Sequence, residues 1–392
     1  MSKKNKDPLS WPVSIANWQS FDSGDDHLGS EEYPLFTDAW IIGQGICGPY
    51  NFINTIASST YGQIRPAIVL RYARYLKFEI SGTYWDSNED CYHGKSSQEE
   101  LAAVLSVAMG VRLRAGRTTR RFEQNSDPLG TPQELHSQPF FAKPDAYNIP
   151  SAATGQHSLN DAFEHINFLP RTSTKNAIAI IRSSRLYQDS PWLAESEPEL
   201  AWILLVSAIE TAAFVWSTTS ETKIKRLELN NPNLYAFLLK RNDEDLLGEV
   251  AKHYPDETGA ARKFCDFILN FSSDEPQTRP PIHHMQFLWQ HEKLKKALKT
   301  IYGYRSRALH DGIPFPSPMC KPQAFRNGTS EWCYSEIMLS MTTSERGGVW
   351  KQEDIPMTLH LFEFITRRAL LNWWASLRFE QTPQQKPAEN LD

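Results

Sequence analysis

Apolar positions fall into two regimes along the chain. From Phe36 to about Trp85 they come in short runs, AWIIG and AIVLRYARYLKFEI, rich in aromatic and β-branched residues, which predicts strands. Ahead of them, residues 1–35 are polar and acidic, as in FDSGDDHLGSEEYP, and predict a loose lead-in. Ser96 and Ser97 stand three residues before Glu99 and Glu100, a capping-box pattern that opens a helix through LAAVLSVAM and stops it near Gly110. Residues 124–160, rich in Pro, Ser, Asn and Gly, predict an extended loop.

After about residue 170 the period lengthens to that of helices. STKNAIAIIRSSRLYQ predicts one helix, and EPELAWILLVSAIETAAFVW, apolar nearly all round, predicts a central one. NPNLYAFLLKR and TGAARKFCDFILNF follow. HMQFLWQHEKLKKALKTIYGYRSRALH predicts a long amphipathic helix stopped by Gly312 and Pro314. DIPMTLHLFEFITRRALLNWWASL predicts the last, with Asp354 as N-cap and Pro356 in its first turn. The expectation is an α+β chain: a mixed α/β domain over 36–165, an all-α bundle over 170–380 with an irregular insertion at 313–350, and a disordered tail over 381–392. There is no internal repeat.

Composition narrows the possible functions. The 392 residues are 40% hydrophobic and 12% aromatic, enough for a packed core, and the net charge is −5, so any nucleic-acid contact must come from a local basic patch. Five cysteines, none in a CxxC pair, predict reduced thiols and a cytoplasmic protein. MSKKNKDPLSWP has no apolar run after its lysines, so it is not a signal peptide, and no run of 18 apolar residues predicts a membrane span. Without secretion the sequon at Asn327 carries no meaning.

Three motifs are weak. Gly43 to Gly48 matches GxGxxG, but Pro49 follows where a helix should start, and the first acidic residue after Asp38 is Glu79; a glycine turn is the better account. Cys91-Tyr92-His93 and His283-His284 lack partners at metal-ligand spacing, so neither a metal nor a cofactor is expected. Arg112, Arg114, Arg117, Arg120 and Arg121 form a dense basic run that either binds RNA phosphates or pairs with nearby acids in the fold.

Arg305 and His310 form the strongest candidate. Their spacing alone carries no weight, because Arg279 and His284 match it too, with Pro280 and Pro281 between them. The setting is what distinguishes the pair. On an unbroken helix Phe287, Leu294, Leu298, Ile301 and Ala308 share one face, and Arg305 falls within it. A guanidinium there is unfavourable unless paired or facing a polar cleft. Ser306 lies four residues before His310, where its hydroxyl can orient the imidazole.

IYGYRSRALHDG, residues 301–312, resembles the signature helix of the HEPN superfamily, in particular its Apea-like branch: an aromatic residue, then Arg-Ser, then His closely followed by Gly. SRLYQDSPWLAESEPELAWILLVSAIETAA, residues 184–213, resembles that family's first two helices. The resemblance covers roughly 170–380 and leaves 1–170 unrecognised. It implies a HEPN-like helical bundle and metal-independent endoribonuclease activity at a homodimer interface, with phage defence or a toxin-like role as the setting. Arg305 would bind the RNA phosphate, His310 would act as base or, from the partner chain, as acid, and Glu210 would fix Arg305 or the motif helix. Ser306 stands where many members carry Asn, Asp or His, which implies weaker orientation of His310. A non-catalytic RNA- or nucleotide-binding module and a helical dimerisation protein are the alternatives, and no membrane partner is expected.

Overall fold

A computed structural model describes residues 11–54, 64–77, 93–124, 128–133, 139–141, 143–152, 155–220, 222–253, 259–272, 274–326 and 331–379. Cys91, the Asn327 sequon and the Gln/Pro tail lie outside the described residues. The chain is mixed α/β.

The N-terminal half is built on an antiparallel sheet in the order β3-β4-β5-β1-β7-β8, with β6 also paired to β1. Its strands are β1 (Ser30–Thr37), β3 (Gly45–Cys47), β4 (Tyr50–Asn54), β5 (Arg65–Ala73), β6 (Arg114–Ala115), β7 (Arg120–Phe122) and β8 (Thr131–Pro132). A separate strand β2 (Trp40–Ile42) pairs in parallel with β9 (Gln156–Ser158). The expected loose lead-in is corrected here: helix α1 (Val13–Asp22) and the central strand β1 both fall in it. The polar composition hid two anchors, Ile15 and Trp18, which are buried one helical turn apart. Asn17 ties α1 to the chain after β5, donating to Ala73 O at 2.9 Å and accepting from Tyr75 N at 2.8 Å.

Helix α2 (Ser97–Met109) starts with the expected capping box of Ser96 and Glu99 and ends on Gly110 in the left-handed region at φ 69°. Buried on nearly every face, it packs on α4 (Thr174–Leu193), α3 (Asn160–Phe168) and α1. The GxGxxG run is the β3–β4 hairpin, turning at Gly48 with φ 53°. A side chain on Gly48 would collide with the Trp18 ring, and one on Gly45 with Phe163. Close packing therefore accounts for these glycines.

Helix α4, N-capped by Ser173, packs along α5 (Pro198–Ser220). By length and composition α5 could cross a membrane, but more than half of the surface of its apolar stretch is buried against the rest of the protein, the mark of a core helix. Around it stand α9 (Ala260–Phe271), α10 (His291–His310) and α11 (Leu359–Phe379). Three short helices, α6 (Lys223–Asn230), α7 (Pro232–Leu239) and α8 (Glu244–His253), enclose a satellite core of Leu227, Leu238, Leu247 and Ala251.

Two further corrections concern the C-terminal half. Asp354 does not cap α11, because it sits in a separate 3-10 turn, and the helix begins at Leu359 with Phe362 N donating to Thr358 O. The insertion is not irregular. It carries the hairpins β10–β11 (Ala324–Arg326, Trp332–Tyr334) and β12–β13 (Thr342–Glu345, Gly348–Lys351). Positive φ at Arg346 and Gly347 supplies the two-residue turn of the second hairpin. One continuous cluster of buried side chains runs from Ile15 to Leu377, so sheet and bundle share a core with no break at 165–170.

Candidate active site

Helix α10 positions Arg305. Leu294, Leu298 and Ile301 are buried on its inner face, while Phe287 is buried ahead of the helix rather than on it. Gly303 does not interrupt the helix, and its Cα faces open space. One turn beyond Ile301, Arg305 meets α5, where Glu210 lies at the margin of an otherwise apolar helix. Arg305 Nη2 donates to Glu210 Oε2 at 2.5 Å, and Tyr302 Oη donates to Glu210 Oε1 at 2.8 Å. The Arg305 guanidinium lies 5.7 Å from the centre of the Tyr302 ring. Burial, then the bond to Glu210, pushes the Tyr302 phenol up to about 12, so it remains a donor across the neutral range.

Of the two contacts expected for Glu210, the one with Arg305 is therefore present. It leaves part of the guanidinium uncommitted: the Arg305 side chain is 17% exposed, Nε is buried without a hydrogen-bond partner, and Nη1 has none among the described residues. Tyr302, three residues before Arg305 on the same helix, escaped the sequence reading. Its signal was an aromatic hydroxyl one turn from a core-facing arginine.

His310 is exposed at the last position of α10. The chain then turns at Gly312, at φ 66°, and Ile313 N donates to Arg307 O at 3.2 Å. The Arg307 guanidinium in this last turn is favoured by the helix dipole. Five residues of α-helix rotate a side chain by about 140° relative to Arg305, so the two point to different sides of the helix. Ser306, half-buried, makes no hydrogen bond to His310, so the expected orientation of the imidazole is not formed in this structure. Arg307, over the Tyr304 ring at 4.6 Å, adds an exposed cation beside the pair.

The arginine cluster resolves mostly into fold contacts. Arg112 is wholly buried: Nη1 donates to Asp38 at 2.7 Å and Nε to Pro191 O at 2.9 Å, and the guanidinium lies 3.7 Å from the centre of the Phe141 ring. It cannot reach a phosphate, and the RNA-binding expectation fails for it. Arg120 and Arg121 sit directly across from Glu32 and Glu31 in the β1–β7 ladder, with Arg121 Nε 3.1 Å from Glu31. Arg114 pairs with Asp189 at 3.3 Å and lies over the Trp192 ring. Arg117 alone of the five is exposed with no ion pair among the described residues.

Among the described residues no group of three or more His, Cys, Asp or Glu side chains could hold a metal ion. No family model, no curated protein and no solved structure matches this chain.

Proposed function

We propose that this protein is an endoribonuclease of HEPN type, with its α4–α11 bundle as the catalytic unit and Arg305 and His310 as the working residues. The observation that carries the reading is the Glu210–Arg305–Tyr302 arrangement, which fixes a partly shielded guanidinium on α10 while leaving Nη1 uncommitted. A carboxylate on Nη2 orients the fork, and Nη1 is left to donate to an oxygen of a phosphate.

Cleavage proceeds by in-line attack of a ribose 2′-OH on the adjacent phosphate. The step needs a base for the hydroxyl proton, positive charge on the developing phosphorane, and an acid for the departing 5′-oxygen. Arg305 supplies the charge. His310, exposed and rotated away from Arg305 of its own chain, meets the phosphate held by Arg305 of a second copy across a two-fold interface. Two histidines then serve as base and acid. The products are a 2′,3′-cyclic phosphate and a 5′-hydroxyl.

A second reading, RNA binding without cleavage, is favoured by one observation: His310 has no orienting hydrogen bond from Ser306. Incubation with RNA in excess chelator, followed by analysis of the new ends, separates the two. Cyclic-phosphate ends support the nuclease, and retarded but intact RNA supports the binder.

A further inference from the structure

Helix α10 carries a row of basic residues on the side it turns away from the core. Lys293, Lys296, Lys299, Arg307 and His310 are all exposed, and steps of three or four residues return a helix to the same face. Leu294, Leu298 and Ile301 hold the other side of the helix in the core. At about 1.5 Å per residue the row is about 25 Å long, and it ends at His310.

Lys293, Lys296, Lys299 and Arg307 form no ion pair among the described residues. On the adjacent α9, Asp266 is engaged by Arg262 at 2.9 Å rather than by a lysine of this row. Glu292 stands in the first turn of α10, where the helix dipole favours it, and Asp311 follows the last turn. Like charges one turn apart repel, so gathering them is unfavourable for the helix alone. On a chain of net charge −5, such a row is the local basic patch that binding an extended anion requires. The arginines at 112–121 do not supply that patch, being largely committed within the fold.

The shape of the row selects the anion. A helix that lies in a lipid surface needs large apolar side chains beside its cations, and the apolar side of α10 is spent on the core. Neither does the row carry an aromatic ring on which bases could stack. What it offers is charge along a line, which suits a sugar-phosphate backbone irrespective of sequence. Gly303 stands midway, where a Cβ would meet nothing within 4 Å, so a strand can lie close to the helix there. We infer that the outer face of α10 is a backbone track for a single RNA strand, leading the phosphate to be cleaved toward His310. This deepens the nuclease reading and rests on it, and it narrows the substrate to strands of several nucleotides gripped by phosphate rather than by base.

The test titrates the full chain with a 2′-O-methyl RNA strand of roughly 20 nucleotides, long enough to cover the row. Methylation blocks 2′-OH attack, so binding is read without cleavage. Lys293→Gln, Lys296→Gln and Lys299→Gln combined keep helix propensity and remove the charges. Binding should weaken by about tenfold or more, and its salt slope should flatten by about 2, at about 0.7 per lost contact to a single strand. Lys223→Gln, Lys225→Gln and Lys252→Gln combined, on α6 and α8, remove equal charge off this helix and should weaken binding by less than about threefold. On cleavable RNA the α10 variant should raise KM with little change in kcat. Gly303→Glu is the independent variant: it fits the open space, puts an acid in the middle of the row, and should weaken binding by about fivefold or more. No RNA binding by wild type, undiminished affinity in the folded α10 variants, an equal loss from the α6 and α8 lysines, or tighter binding to anionic phospholipid vesicles than to RNA would each overturn the assignment. Binding that depends on the α10 lysines, without cleavage of ordinary RNA by wild type, would defeat the nuclease reading alone.

Discussion

Glu210 on α5 and Arg305 on α10 are 95 residues apart in the chain, yet their side chains meet at 2.5 Å at the edge of the bundle core. Both remain partly solvated, so their attraction is screened and contributes modestly to stability. The pairing matters more for aiming the guanidinium. Glu210→Gln keeps the shape and removes the charge. RNA cleavage should fall by about tenfold to a hundredfold, while the free energy of urea unfolding stays within about 1 kcal/mol of wild type. A large loss of stability with unchanged specific activity would make Glu210 a purely structural partner.

Arg112 tests the opposite assignment. Its guanidinium is fully buried with Asp38, whose carboxyl is held above its usual range by burial despite the pairing. Arg112→Ala should destabilise the protein by about 3–5 kcal/mol, because it leaves Asp38 as an uncompensated buried group. Arg117→Ala, on an exposed loop, should change stability by no more than about 0.5 kcal/mol. Chemical denaturation of both variants checks this, and a stable Arg112→Ala that binds RNA poorly would return the cluster to the nucleic-acid face.

Acid sensitivity should trace in part to His165. Burial, followed by the nearby Arg378, pushes its imidazole down to about 4. Between that value and the ordinary histidine value of about 6.5, the unfolded chain binds a proton that the folded chain refuses. Stability from this group is therefore complete above about 6.5 and is lost as pH falls toward 4. Buried carboxyls such as Glu363, raised by burial, act in the other direction, so the informative quantity is the difference between wild type and His165→Gln. The loss in melting temperature from pH 6.5 to pH 4.5 should be smaller in the variant, by the equivalent of on the order of 1–2 kcal/mol. Equal losses would show that His165 takes up its proton without unfolding.

A composite site makes a dosage prediction. When His310→Ala chains are mixed with wild type and allowed to exchange, activity should fall by more than the fraction of mutant chains added, because mixed dimers carry incomplete sites. A strictly proportional fall would place a complete site on each chain.

The helices were legible because period and caps agree: Ser173 and Ser96 start α4 and α2 where hydrophobic periodicity begins, and Gly110 and Gly312 stand just past their helix ends. Part of the Glu210–Arg305 contact was legible: the apolar stripe asked for a partner or a polar cleft, and only the resemblance pointed to Glu210. Tertiary features were not. Whether Arg112 is solvated or buried depends on Asp38 lying 74 residues away, and no local pattern encodes that distance. Helix α1 was hidden because its short apolar pattern sits inside a longer polar and acidic stretch.

The most direct measurement of the central claim is cleavage of RNA by purified full-length protein in excess EDTA, comparing wild type with Arg305→Ala and His310→Ala. All three should share the same melting temperature within a few degrees, since neither side chain lies in the buried core. Wild type should yield fragments ending in 2′,3′-cyclic phosphate and 5′-hydroxyl, and each variant should lose at least about a hundredfold in rate. Intact RNA with wild type, or undiminished cleavage by folded His310→Ala, would contradict the account.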